Sequence, residues 1–282
     1  MSDGVVVTIE TMYKFYGVIR KRVITIELNK VYCMDNLELL KQLPNESIDI
    51  IYCDILYNTG KKFKDYDDNL GTPQEAIEWY KPRLVEMKRV LKDTGSIYLQ
   101  MDYRLVHYMK VEMDSIFGIE NFKNEIIWKY GLGNSRALGR YQTKHDNILF
   151  YTKTNEYIFN NIRGEVTPQM EAKYCHEDEL GKYMISKGKK YYLKGGKKIE
   201  DVIEVSNMSA TSKERVGYDT QKPKELLEIF IKQSSIEGSI VADFFCGSGT
   251  SLVVAKELGR NYIGCDINPR AIEITEERLK EI

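Results

Sequence analysis

The chain has 282 residues, with 41 basic and 42 acidic side chains and a formal net charge of −1. That length buries one large core with an insertion, or one large and one small domain, and a polyanion would have to be met by a local basic face rather than by global charge. No apolar run approaches the length of a membrane span, the polar opening MSDG lacks a signal peptide's basic flank, and five cysteines without a C-x-x-C pair argue against a disulfide framework or structural zinc. A reducing cytoplasm is the expected setting.

Residues 5 to 31 alternate apolar and polar side chains and predict strands leading into Val31 to Met34, the last of which ends in Asp35. From Asn36, leucines at 37, 39, 40 and 43 recur at helical spacing and stop before Pro44. Apolar residues at 48, 50, 51 and 52 then mark a short strand of the kind buried on both faces in a parallel sheet, ending in Asp54. Tyr57 follows, and then Asn58, Thr59 and Gly60, a turn that brings acid and ring into the crevice where open α/β sheets bind ligands. A carboxylate there can accept hydrogens from an amino group, and an aromatic face can stack on its ring.

The polar stretch after Gly60 reads as a loop over that crevice. Thr72 caps a helix whose pattern runs from Gln74 to Leu91, with Pro82 as a kink or break. A buried strand (95 to 102) and a helix from Tyr103 to Phe117, closed by Gly118, continue the alternation. Strands at 125 to 130 and 146 to 153 flank a glycine-broken loop whose Arg136, Arg140 and Lys144 suit phosphate contacts. From about Asn155 to Arg215 the pattern lapses. Seven lysines lie between Lys182 and Lys198 with no carboxylate among them, interleaved with Tyr183, Tyr191 and Tyr192, a composition that suits either a nucleic-acid face or a solvated insertion. Regular structure returns with a helix over 219 to 235, its first turn holding Pro223, and then strand, glycine turn and helix (238 to 259), a strand ending in Asp266, and a closing helix (270 to 280).

In the turn from Asp243 to Thr250, DFFCGSGT, glycines allow close backbone approach to a ligand, and Asp266 ends the next strand where a ribose-binding acid would stand. A pyrophosphate would be repelled by Asp243, whereas a cationic ligand would be favoured. A nucleotide-binding half needs one more strand after Asp266, yet the chain ends one helix later, so Val31 to Asp35 is expected to supply it.

D-x-x-Y-N-T-G at Asp54 to Gly60 resembles motif IV of the amino-methylating DNA methyltransferases, with the NTG of adenine enzymes similar to type III modification subunits. D-x-F-x-G-S-G-T is similar to their motif I, and TQKP at 220 to 223 to motif X. The resemblance implies S-adenosylmethionine as cofactor and the β-class order, motif IV first. The expected architecture is a seven-stranded, Rossmann-like α/β methyltransferase fold, circularly permuted, with residues 1–153 and 218–282 as catalytic domain and 154–217 as a target-recognition insert. It also implies that Asp243 takes the amino-acid part of the cofactor, that Phe245, Gly247, Gly249 and Thr250 line its pocket, that Asp266 holds the ribose, that Lys222 lies near the methionine end, and that Asp35 lies near the adenine.

The implied reaction moves a methyl group to the exocyclic 6-amino group of adenine in double-stranded DNA by base flipping, with neither metal nor covalent nucleophile. Asp54 and the carbonyl of Ile55 would accept the amine's hydrogens while Tyr57 holds the base flat, and Lys189 and Lys190 would join Arg136, Arg140 and Lys144 on DNA. The family's two prolines are here Ile55 and Leu56. That departure keeps open a DNA-binding protein with impaired turnover, and the cytosine 4-amino group or RNA stand as other acceptors. A homodimer and a restriction nuclease in the same system fit the resemblance.

Overall fold

The computed structural model describes residues 6–15, 18–62, 66–131, 139–209 and 212–282. Strands β1 (Val6–Phe15) and β2 (Val18–Glu27) pair antiparallel as a hairpin of their own. The alternation predicted from sequence comes next: β3 (Lys30–Cys33), α1 (Asn36–Gln42), β4 (Ile48–Asp54), the two-residue strands β5 (Lys61–Lys62) and β6 (Asp67–Asp68), α2 (Pro73–Val90), β7 (Leu91–Met101), α3 (Val106–Phe117), β8 (Phe122–Lys129) and β9 (His145–Thr152). Helix α4 (Pro168–Lys173) and strands β10 (His176–Asp178), β11 (Gly181–Ser186) and β12 (Lys189–Tyr192) form the irregular segment with β13 (Val202–Glu204). The chain then runs through α5 (Lys224–Ser234), β14 (Ile240–Asp243), α6 (Thr250–Glu257), β15 (Asn261–Asp266) and α7 (Pro269–Lys280).

Among the described residues the main sheet has eight strands in the order β13-β8-β9-β7-β4-β14-β15-β3, and β9 runs antiparallel to both its neighbours. Strand β3 pairs in parallel with β15, from Lys30 opposite Ile263 to Cys33 opposite Asp266, so the start of the chain completes the nucleotide-binding half as expected. The sheet has one strand more than the seven expected. Strand β13, from the stretch assigned to the insert, adds alongside β8, burying Ile203 and Val205, and the Trp128 indole donates to the Val205 carbonyl at 2.9 Å. An uncovered β8 edge would leave a row of unpaired backbone groups, so part of the segment between 154 and 217 is built into the sheet.

Helices cover both faces. Leu39 and Leu40 of α1, Tyr80 and Leu84 of α2 and Met109 and Met113 of α3 pack on one face, and Leu226 and Phe230 of α5, Val254 of α6 and Leu279 of α7 on the other. Strand β4 feeds both: Ile51 and Cys53 point one way, Ile50 and Tyr52 the other, as a two-residue repeat demands. Ile50 and Ile51 are fully buried, each contributing roughly 1.5–3 kcal/mol, which anchors the strand that carries Asp54. Helix α2 starts with a Thr72–Glu75 capping box and runs unbroken through Pro82, because Pro82 and Glu78, whose carbonyl it cannot bond, both face solvent. Helix α5 begins later than its sequence pattern: Pro223 is its N-cap, which leaves Lys222 on the preceding loop.

Candidate active site

Strands β14 and β4 are neighbours in the sheet, with Val241 opposite Ile50 and Ala242 opposite Ile51. Their carboxyl ends therefore place Asp243 and Asp54 side by side at the switch point of the topology, where an open sheet has its crevice. A cavity of about 440 Å³ opens there. Asp35, Asp54, Lys222, Asp243, Phe245, Gly247, Thr250 and Asp266 all line it; Gly249, Ile55 and Tyr57 do not.

At the β14 end the turn is shaped by its own residues. Gly247 has φ of 49° and donates its amide to Asp266 Oδ2 at 3.0 Å, and a Cβ there would meet the Tyr218 ring at 3.2 Å. Gly249, at φ 70°, caps α6, and a Cβ would lie 2.2 Å from Thr275 Cγ2, so its place is conformational rather than lining. The buried Arg278 of α7 ties the turn down through Ser248 O at 2.6 Å and Thr250 Oγ1 at 2.9 Å. Asp243 accepts from the Phe245 amide at 3.0 Å and from the Ser251 hydroxyl, and burial pushes its carboxyl up to about 7. Burial raises Asp266 as well, against the amides of Asn268 and Gly247 that hold it. Asp35 caps α1 through the Leu37 amide at 2.9 Å and pairs at 2.8 Å with Arg83, whose guanidinium lies 3.4 Å over the Trp79 ring. Asn36 links the same corner to the turn, donating to Phe244 O at 3.0 Å and accepting from Arg83 at 2.7 Å. The helical patterns of α1 and α2 hold no local mark that separates Asn36, Trp79 and Arg83 from ordinary helix residues.

At the β4 end, Asp68 organises the Asn58–Gly60 turn. Its carboxylate accepts the amides of Asn58 and Thr59, each at 3.0 Å, and the Thr59 hydroxyl at 2.6 Å. Asp54 Oδ1 accepts from the Tyr57 hydroxyl at 2.7 Å, and Oδ2 is ion-paired with Lys222. Burial raises the Asp54 carboxyl, with the Lys222 ammonium opposing. Lys222 lines the same cavity and places its ammonium on Asp54 and 5.6 Å from the centre of the Tyr57 ring. Tyr57, half-buried, is tethered by its hydroxyl, which also lies 2.8 Å from Asp146 Oδ2. Gln100 reaches both, at 3.2 Å from Tyr57 Oη and 3.0 Å from Asp146 Oδ2, and is itself held by the Tyr52 hydroxyl at 2.7 Å. Asp146 and Gln100 read in sequence as plain strand residues. The Ile55 side chain is core, and its amide hydrogen, which proline would lack, donates to Gln100 O at 3.2 Å.

Of the residues expected on DNA, Arg140 is exposed and donates to the Tyr103 hydroxyl at 3.1 Å, the Lys144 carbonyl accepts from the Tyr130 amide, and Arg136 lies outside the described residues. The lysines of the insert are not without carboxylates: strand pairing sets Asp178 at 2.6 Å from Lys190, and Glu171 lies 3.5 Å from Lys182. Lys190 also lies 4.3 Å from the Tyr183 ring centre, whereas the Lys189 side chain projects from the same strand and is exposed.

A family model described as DNA methylase matches residues 48–277. The chain is 36% identical over 255 residues to the type II methyltransferase M.HpaI of Haemophilus parainfluenzae, covering 89% of this chain and 74% of that one. It is 32% identical over 248 residues to the DNA adenine methyltransferase YhdJ of Escherichia coli (strain K12), covering 87% and 80%. The solved M1.HpyAVI–SAM complex has a like fold, with a TM-score of 0.57 at 20% identity, over 88% of this chain and 98% of that one.

Proposed function

The chain belongs to the DNA methylase family matched across residues 48–277, and from that premise we propose that it methylates the exocyclic 6-amino group of adenine in double-stranded DNA. The observation that carries this reading is that Asp54 and Asp243 end paired neighbouring strands and line one cavity, so an amine acceptor and a cationic donor would meet there. The residues fit S-adenosylmethionine, since Asp35, Asp243 and Asp266 offer negative charge and the Gly247 turn leaves room that a Cβ would take. When bound, that cofactor supplies a methyl group on a sulfonium.

This chain's own groups do the rest. Asp243 would hold the cofactor's cationic part, and Asp266 and Asp35 its ribose and adenine. Asp54 accepts a hydrogen of the target amine, drawing its lone pair out of the ring, with the Ile55 carbonyl beside it. Lys222 now holds that place and must swing off before the amine can take it. Flipping a base costs a few kcal/mol, and stacking on an aromatic face returns roughly 1–3 kcal/mol; the Tyr57 face over which Lys222 lies is the one offered. Adenine follows from the acid at the head of the motif and from Asn58-Thr59-Gly60. Residues 1–153 and 218–282, with the edge strand β13, are the catalytic part, and the rest of 154–217 serves recognition, with Arg136, Arg140, Lys144, Lys189 and Lys190 toward DNA. A homodimer, a nuclease acting on the same sequence and a cytoplasmic setting belong to the same proposal. Methylation-sensitive sequencing of DNA from cells expressing the chain, beside an Asp54→Ala control, tests it: N6-methyladenine at one motif is expected, N4-methylcytosine would replace the base assignment, and no modified base in either culture would overturn it.

A further inference from the structure

The cavity takes none of its lining residues from β7, β8 or β9. With S-adenosylmethionine on the β14, β15 and β3 side of Asp54, a DNA strand that delivers a base to that acid is left the other side of β4, where β7, β9 and β8 follow in order. Because β9 runs antiparallel to both its neighbours and β7 runs parallel to β4, the β8–β9 connection lies at the same edge of the sheet as Asp54. The side chains on that edge are the ones the strand meets.

Two segments are tied together there. Tyr103, three residues past the Gln100 that pairs with Asp54, accepts at its hydroxyl from Arg140 Nη1 at 3.1 Å and has the Arg104 guanidinium 4.8 Å from its ring centre. Arg104 is matched by Asp102, whereas Arg140 meets no carboxylate among the described residues, and one bond to a hydroxyl leaves it further donors for a phosphate. The next residue, Tyr141, is 99% exposed and makes no hydrogen bond or ring contact with a described residue. The fold therefore holds an aromatic ring out in water beside an anchored cation that no acid neutralises.

A flipped adenine leaves a gap in the duplex stack, and an inserted side chain recovers part of the lost stacking. We propose that Tyr141 fills that gap, stacking where the adenine stood, while Arg140, held in place by Tyr103, takes a phosphate of the same strand. Tyr103 is a positioning residue: its ring and hydroxyl are engaged by the two arginines, so it is not the ring that enters. Tyr57 and Tyr141 then serve opposite ends of one event, the first receiving the base and the second replacing it. The partner this edge fits is a duplex with one base extruded, since a single strand has no gap to fill.

The proposal rests on the reading of the chain as a duplex adenine methyltransferase, and its test separates the two. The probe is a duplex selected from a random pool for binding to the chain, with 2-aminopurine, a base that fluoresces more strongly once unstacked, at each adenine position in turn. The wild-type chain should raise that fluorescence at the target position. Tyr141→Ala should lower the rise and Tyr141→Phe restore it, because the ring and not the hydroxyl stacks. On the same duplex with adenine, Tyr141→Ala should slow single-turnover methyl transfer by roughly 5- to 150-fold, the worth of one base–aromatic stack, with S-adenosylmethionine affinity unchanged. With the target adenine in a mismatch, where extrusion costs less, that loss should shrink. Tyr103→Phe, which removes only the tether, should lower the fluorescence rise while the salt slope of DNA binding, set by the Arg140 charge, stays in place. A Tyr141→Ala variant that matches wild type on the paired duplex, or that loses as much on the mismatch, overturns the proposal. A wild-type chain that raises the fluorescence in a Tyr141-dependent way but methylates no adenine overturns the reading of the reaction and leaves the role of Tyr141 intact.

Discussion

The cavity's two ends begin alike and are completed differently. Each starts from an acid at the end of a central parallel strand, yet Asp243 spends both oxygens on neighbours two and eight residues away, while Asp54 takes Tyr57 three residues away and Lys222 at a separation of 168. At one end the acid is held by its own stretch, and Asn36, Asp266 and Arg278 brace the turn around it. The other is assembled from distant segments and is occupied by a side chain that has to leave. The cofactor end is thus preformed, and the acceptor end is poised.

The largest expected effect breaks the pair apart. Asp54→Ala should lower single-turnover methyl transfer by roughly 10²- to 10⁴-fold and leave S-adenosylmethionine affinity, read by calorimetry, unchanged; an equal loss of affinity would mean that the two ends do not act separately. Asp243→Ala should do the reverse, weakening cofactor binding by ~1.5–3 kcal/mol, with Asp266→Ala alongside it. Gly249→Ala probes the preformed shape itself: a Cβ 2.2 Å from Thr275 Cγ2 at positive φ should cost stability by more than about 1 kcal/mol in thermal unfolding.

A pH series sharpens the same contrast. Asp243 titrates near 7 in the folded chain, above its ordinary range, so between about 4 and 7 the native state keeps a proton that the unfolded chain gives up. The cofactor-free protein should therefore lose stability as pH rises across that window, with Asp54 and Asp266, also raised, adding the same sign. A cationic cofactor favours the anion, so its affinity should rise through pH 7, and Asp243→Asn should flatten that rise. The smallest effect concerns DNA. Lys189→Gln should reduce the salt slope of binding by about 0.9 if one phosphate contact is lost, and Lys190→Gln by less, because Asp178 already engages that ammonium.

This contrast also explains what could be read in advance. The strand ends, the glycine turn and the place of β3 were legible because each rests on local periodicity or on counting strands. Lys222 could be seen as a motif residue but not as the partner of Asp54, and Asp146 not at all, since it meets Tyr57 across 89 residues. Periodicity along one segment carries no information about which distant side chain meets another. The same limit hid the carboxylates beside the insert's lysines, among them Asp178, which the pairing of β10 with β11 and of β11 with β12 brings to Lys190, and the edge strand β13, too short to stand out among polar neighbours.

The pairing of β3 with β15 sets a schedule for synthesis. Asn29, just before β3, hydrogen-bonds Asn261, 232 residues later, and Asp35 waits as long for Asp243 and Asp266. At about 5–20 residues per second the first strand of the cofactor pocket emerges from the ribosome roughly 10 to 50 seconds before its partner. Until then α1 has only the acceptor half of the sheet to pack against. The nascent chain therefore carries Asp54 and its turn early, without a place for the methyl donor, and gains that place only when β15 and α7 arrive.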